Sequence, residues 1–277
     1  MFRSMGGAAF SSLFKATSYT TLTTPSTEVV PNGANAIHIQ QAVGGGSAGV
    51  NGGSYDKSGG ESAGAGGGSG AYVSDKIFYV NAGETITFTV GEGGSGNTGS
   101  NPNFTANDGT DTSVSGSSTG SIAVLGGGTG GYATGGSSSP NTGPLRTNFA
   151  AVGGTATLSA SVTSGSFIEN DGTVETISPS TSPLSQGIVG VFDSGGNGVA
   201  LPIPPSGLNC TPDDCTIFGT DGGASYDGNV NGGTPSGISG QPGSQGSGGG
   251  GGGHQPGVGP GGAGGNGEII YRYIKVL

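Results

Sequence analysis

Residues 76–96 read Lys76-Ile-Phe-Tyr-Val80, Asn81-Ala-Gly83, Glu84-Thr-Ile-Thr-Phe-Thr-Val90 and Gly91-Glu-Gly-Gly-Ser-Gly96 without interruption. Between 84 and 90, Ile86, Phe88 and Val90 alternate with Thr85, Thr87 and Thr89. A period of two belongs to a strand with one buried face and does not fit a helix. The preceding KIFYV reads as a second strand. Asn81-Ala82-Gly83 reads as a three-residue hairpin connection, with glycine where a positive φ is usual. After Val90 the side chains almost vanish, so the strand must run into backbone of another kind.

The same alternation appears in Ala36–Val43 (AIHIQQAV), with Ile37 and Ile39 on one face and His38 and Gln40 on the other, and in Thr155–Val162 (TATLSASV). Weaker strand signals lie at Ile188–Phe192 and Thr216–Phe218. The final stretch, Glu268–Leu277 (EIIYRYIKVL), is apolar on both faces. It is expected to be flanked on both sides, next to the first strand. Between these strands glycine concentrates in residues 44–70, 126–136 and 232–267 and supplies 66 of 277 residues in all. No strict Gly-X-Y repeat is present, which excludes a collagen triple helix. No fixed longer period marks a regular solenoid.

Leu, Ile, Val and Phe together make up under a fifth of the chain. That excludes a large side-chain core, and glycine at this density excludes long helices at about 1 kcal/mol per residue. Glycine runs can instead form three-residue-per-turn polyproline-II-type helices. Without Cβ atoms, neighbouring helices come close enough for direct backbone hydrogen bonds. The expected fold is therefore mostly β and irregular, with almost no α-helix. A small antiparallel β-layer continues into packed polyglycine-II helices joined by loops. Residues 1–24 read as an N-terminal attachment segment and 25–277 as the glycine-rich domain.

The net charge of −10 comes from 17 acidic and 7 basic residues. No Lys/Arg cluster suits nucleic acid, no apolar run is long enough for a membrane helix, and no cofactor motif stands out. GxGxxG-like strings are cheap at this glycine content, and none is followed by Gly-Lys-Ser/Thr. His38 reads as an outward strand residue and His254 as a turn residue, neither tied to a nucleophile, so an enzyme is the least supported reading. Cys210 and Cys215 bracket a small Pro/Asp loop. A disulfide is the preferred reading and free thiols the alternative; half a zinc site lacks its second pair. Asp108, Asp111, Asp213, Asp214 and Asp221 sit in turn-forming contexts rather than calcium-loop spacing, so no metal is implied. Tyr55, Phe104, Tyr132, Phe149 and Tyr226 lie in polar, glycine-flanked stretches. Aromatic side chains on such loops add contact area at low entropic cost. Phe2, Met5, Phe10, Leu13 and Phe14 space the N-terminal segment as a short docking element.

Three motifs in order carry a resemblance. Pro31-Asn-Gly-Ala34 leads into AIHIQQAVGGG, Asn81-Ala-Gly-Glu-Thr85 leads into ITFTVGEGGSG, and the chain closes on GGAGGNGEIIYRY. Together they resemble the glycine-rich domains of bacteriophage tail proteins, and the chain is similar to the polyglycine-sandwich adhesins of T-even-type long tail fibres. The resemblance implies a β-layer, a glycine-rich helical sandwich and exposed loops at a fibre or tail tip. It implies a virion protein, assembled in the host cytoplasm, whose partners are other virion proteins and a bacterial surface protein or glycan. The copies could act singly or as a homo-oligomer. The second reading is a structural tail, baseplate or head-decoration component. An ice-binding polyglycine protein would need a flat repetitive face, which the irregular spacing disfavours.

Overall fold

The computed structural model describes residues 13–49, 67–96, 104–130, 132–133, 153–178 and 261–277, with short pieces between 235 and 258. These residues form antiparallel β-sheets, with no helix among them. The strands are β1 (Thr20–Leu22), β2 (Ser26–Val29), β3 (Ala36–Val43), β4 (Tyr72–Tyr79), β5 (Thr85–Thr89), β6 (Phe104–Thr105), β7 (Thr112–Gly116), β8 (Gly120–Leu125) and β9 (Tyr132–Ala133). They continue with β10 (Ala156–Leu158), β11 (Gly165–Ile168), β12 (Val174–Ile177), β13 (Pro235–Ser236), β14 (Ser239–Gly240), β15 (His254–Gln255), β16 (Gly257–Val258) and β17 (Glu268–Ile274).

Two sheets carry the body. The first runs β1-β17-β3-β4 and the second β10-β8-β7-β5-β2. Ile37, Ile39, Phe78, Ile269 and Tyr271 of the first sheet pack against Ile86, Phe88, Val114, Ile122 and Leu125 of the second. The Phe88 and Tyr271 rings sit 4.4 Å apart across that interface. In β5 the alternation is as the sequence indicates, with Ile86 and Phe88 inside and the three threonines exposed. The terminal strand is flanked on both sides and pairs with β3. Its outer face is covered too: Ile274 and Val276 join Ala36, Ile77, Phe167 and Ile177 in a second apolar cluster beneath the β11–β12 hairpin. Two covered faces explain why that strand is apolar on both sides apart from Glu268 and the buried Arg272.

The expected hairpin at Asn81-Ala82-Gly83 is corrected. β4 pairs with β3, whereas β5 pairs with β2 and β7, so the turn carries the chain from one sheet to the other. Gly83 does hold the positive φ (+81°). The strand expected over 155–162 is shorter, Ala156–Leu158, and the one at 76–80 begins earlier, at Tyr72. The stretches 188–192 and 216–218 lie outside the described residues.

The glycine runs make a second kind of layer. Along run 44–49 the N–H groups point in three directions in turn. Those of Gly44 and Ser47 reach the carbonyls of Ala71 and Gly68, those of Gly45 and Ala48 reach Thr110 and Asn107, and those of Gly46 and Gly49 reach Gly265 and Gly262. The partner positions step by three, which is the repeat expected of packed three-residue-per-turn chains. Two more runs donate to this one, Gly94 to the Gly46 carbonyl and Gly128 to the Gly45 carbonyl. The neighbours also bond to each other around a closed ring: Ala71 to Gly126, Gly109 to Gly128, Thr110 to Glu92, Gly264 to Gly94, Gly243 to Ala263 and Gly70 to Gly246. Run 44–49 is thus a fully buried axis inside six neighbours. Residues 153–155 begin a second shell, bonded to the two runs beside them through Gly154 to Ser69 and Gly126 to Thr155.

At glycine positions such as Gly45 and Gly94 this packing leaves no room for a Cβ. A methyl on Gly45 would press into the Glu92 carbonyl, and one on Gly94 into the Asn107 carbonyl. Backbone hydrogen bonds, each contributing about 1 kcal/mol net, thus replace the side-chain core that the composition could not supply.

Candidate functional site

The end of the glycine layer farthest from the sheets is the first candidate. Runs 44–49, 91–96 and 126–130 leave β3, β5 and β8, and runs 67–71, 107–111, 153–155 and 261–267 return to β4, β7, β10 and β17. Gly49, Gly96 and Gly130 therefore open at one end, and the connecting stretches depart from and return to that end. There β6 and β9 pair antiparallel, with Phe104 opposite Ala133 and Thr105 opposite Tyr132. The ladder brings Phe104 and Tyr132, two of the five aromatic residues singled out by sequence, onto adjacent strands one register step apart. Tyr55, Phe149 and Tyr226 lie outside the described residues, as do Cys210 and Cys215 and the docking residues Phe2, Met5 and Phe10. Of the other two docking residues, Leu13 is exposed, whereas Phe14 packs against the main core and sets its ring over Gly33.

At several places on the perimeter of this layer a side chain takes the position of a neighbouring run. Asp111 accepts the Gly127 N–H at 3.0 Å and Asp108 accepts the Gly130 N–H at 2.6 Å. Two carboxylates three residues apart meet two amides three residues apart on an antiparallel neighbour, so the turn-forming aspartates become edge caps. Asn266 accepts from Gly93 at 2.9 Å, and the Thr110 hydroxyl accepts from the Glu92 amide at 2.7 Å. Among the described residues no group of three His, Cys, Asp or Glu side chains could hold a metal, and no helix could cross a membrane.

The second candidate is a polar cluster on the outer face of the first sheet. The expectation that His38 faces solvent is corrected: it is 6% exposed, because Tyr19 and the β11–β12 hairpin cover that face. Its Nε2 lies 2.8 Å from Asp75 Oδ1. Its Nδ1 accepts from Arg272 Nε at 3.3 Å and lies 3.3 Å from the Tyr19 hydroxyl. Arg272 spans the cluster, with bonds of 2.6 and 2.8 Å to the two Glu169 oxygens. Its guanidinium lies 4.3 Å from the centre of the Tyr19 ring and 5.1 Å from that of Phe167. Burial lowers the His38 pKa. Asp75 pulls it the other way and the Arg272 charge lowers it further, so the ring is held neutral. Burial raises the Tyr19 pKa.

An Asp–His–Tyr line could relay a proton only if one end met a substrate. Here the histidine has both nitrogens engaged and the phenol is stacked under a guanidinium, which gives the cluster the chemistry of a clasp. It ties the N-terminal segment, β3, β4, β17 and the β11–β12 hairpin together. Sequence reading missed Arg272, Glu169 and Tyr19 as partners. Only the Asn170-Asp171-Gly172 turn signal, with Gly172 at φ +95°, could have announced the hairpin that brings Glu169 in.

A third buried polar group is structural. Glu84, 6% exposed, accepts from the Asn81, Ser118 and Thr119 amides and from the Ser118 and Thr119 hydroxyls. It fastens the turn between the sheets to the β7–β8 turn.

Comparison with curated proteins gives no match. A family model described as a glycine-rich domain matches residues 20–274, from β1 to the last residue of β17. Nearly the whole folded body is covered, and the chain belongs to this glycine-rich domain family.

Proposed function

We propose that the chain is a bacteriophage virion protein of the tail or tail fibre that binds the host cell surface through the sheet-distal end of its glycine layer. The observation that carries the reading is the one-sided opening of the runs. The runs ending at Gly49, Gly96 and Gly130 all reach a single end, on a scaffold whose stability rests on backbone rather than on loop side chains, so the loop sequences are free to change. The Phe104–Tyr132 ladder lies at that end. The N-terminal segment bonds elsewhere, through Ala16 to the Ile168 carbonyl and Thr17 to the Tyr273 carbonyl on the sheet body. That separation supports different locations for attachment to other virion proteins and for contact with the host. Binding is by shape and polar complementarity to a surface protein or glycan, without bond-breaking, and several copies per particle supply avidity.

The test is retention of the full chain on host cells, together with its ability to block adsorption of the intact phage. Saturable retention with blocking, both lost when Phe104 and Tyr132 are changed to alanine, supports host recognition. Folded protein that neither binds nor blocks on cells the phage infects moves the assignment to a structural tail or baseplate component. The closed ring of hydrogen-bonded runs favours that second reading, since it makes a stiff spacer.

A further inference from the structure

The perimeter of the glycine layer offers a series of equivalent positions, each a furrow between two neighbouring runs. One is filled by an eighth run, residues 153–155, held by Gly126 N–H to the Thr155 carbonyl and Gly154 N–H to the Ser69 carbonyl. The furrow between runs 107–111 and 126–130 is closed by Asp108 and Asp111. Asn107 and Thr110 close the next, toward run 91–96, through the Ser95 carbonyl and the Glu92 amide. Asn266 bridges to Gly93 in the one after that.

The furrow that Gly243 and Gln245 share with residues 264–268 differs. It is an open groove of about 350 Å³, floored by Gly243, Gly264, Gly265 and Gly267 and rimmed by Thr23 and Gln245. Its floor is backbone of the kind that elsewhere receives another run. Gln245, on its rim, holds a positive φ of +41° without being glycine, which is a strained conformation for a side-chain-bearing residue.

We propose that this groove is a docking position for an extended, glycine-rich segment of a partner polypeptide, which adds to the layer as a further run. The seated run 153–155 supplies the template. A partner strand would exchange backbone hydrogen bonds with the two walls as that run does, in the way an added strand extends a sheet edge. The template also sets a sequence rule. Gly154 lies so close to the Gly126 carbonyl that a Cβ there would overlap it, and Gly264 and Gly93 face their neighbours under the same constraint. The partner must therefore carry glycine wherever its backbone faces a wall, with small polar residues only at outward positions. Among the described residues that line the groove, Glu268 at one end is the only charged one, so recognition is by backbone shape and not by charge.

The test uses the full chain and a fluorescein-labelled peptide of four Gly-Gly-Ser repeats, followed by fluorescence anisotropy, with an Ala-Ala-Ser peptide of equal length as control. The expected result is saturable binding of the glycine peptide and binding of the alanine peptide weaker by about ten-fold or more. Thr23→Trp, which fills the rim from an exposed position, abolishes binding while leaving the melting temperature unchanged. Asp108→Ala leaves peptide binding intact, because it lies on another furrow. Equal binding of the two peptides, no binding, or binding indifferent to Thr23→Trp overturns the proposal. So does concentration-dependent self-association that Thr23→Trp abolishes when the peptide does not bind; that outcome assigns the groove to a second copy of the chain.

Discussion

Arg272 donates from Nε to Nδ1 of His38 at 3.3 Å, and a ring nitrogen that accepts from a guanidinium carries no proton. The imidazole proton is therefore on Nε2, toward Asp75. The pair joins a residue near the start of the first sheet to one at the end of the chain. Protonating His38 at Nδ1 would set a second positive charge against Arg272 and remove the acceptor.

Acid sensitivity follows. The native pKa of His38 lies below its ordinary value of 6.5, so the unfolded chain binds the proton more readily than the native one. The contribution of neutral His38 is complete above pH 6.5 and is lost as the pH falls through the native value. The melting temperature should drop between pH 7.5 and 5.5, and His38→Gln should flatten that slope. An identical slope in the variant would show that the clasp does not titrate.

Glu84 governs a lower window. Burial pushes its pKa up, but the five donors from Thr119, Asn81 and Ser118 outweigh burial and hold it at about 2, against an ordinary 4.5. This stabilisation is present above pH 4.5 and is lost as the pH falls toward 2. Glu84→Gln should cost about 2 kcal/mol at neutral pH, the scale of charge-assisted hydrogen bonds. It should also remove the part of the acid transition below pH 4.5, as read by chemical denaturation at stepped pH.

Arg272→Lys tests whether the clasp depends on guanidinium shape or on charge alone. Lysine keeps the charge but cannot make both Glu169 bonds, reach His38 and lie between two rings at once. A loss of about 2 kcal/mol is expected, with earlier hydrogen exchange in residues 165–177. A variant as stable as the parent would reduce the arrangement to an ordinary surface ion pair.

Sequence reading succeeded where one local signal decides the outcome. Thr85, Thr87 and Thr89 face water because a period of two admits no other arrangement, and the doubly apolar 268–274 has to be flanked. It failed where pairing is non-local. Nothing local tells Asn81-Ala82-Gly83 to cross between sheets instead of closing a hairpin, since both use a positive-φ glycine. The face of His38 was visible, but not its cover, which comes from Tyr19 and Phe167. β7 and β8 escaped notice because Ser113, Ser115 and Ser121 dilute the apolar alternation, although Gly120 at φ +80° marks their turn. The capping roles of Asp108 and Asp111 had no local signal, because their partners Gly130 and Gly127 belong to a different run.

Those caps can be measured. Asp108→Ala with Asp111→Ala leaves two amides at the edge of run 126–130 to water and removes two charge-assisted bonds. Both sites are exposed, so the loss should be about 1–2 kcal/mol for the pair. Hydrogen exchange at Gly127 and Gly130 should accelerate while that of Gly45, on the buried axis, stays slow. Unchanged protection at Gly127 and Gly130 would rule out the capping role.

The glycine layer itself is tested by two substitutions of equal size. Gly83→Ala adds a methyl that meets nothing within 4 Å, so its cost is only that of a positive φ, about 1–2 kcal/mol. Gly45→Ala adds the same methyl on the buried axis, against the Glu92 carbonyl and close to the Thr110 amide. Gly45 also bonds to Thr110 and Gly128 on two neighbouring runs, so the chain cannot shift away without breaking those bonds. A cost of about 3 kcal/mol or more is expected, with early hydrogen exchange across all the runs that contact it. If Gly45→Ala melts no lower than Gly83→Ala, the runs are not packed at backbone contact distance, and the molecule must draw its stability from the β-sandwich alone.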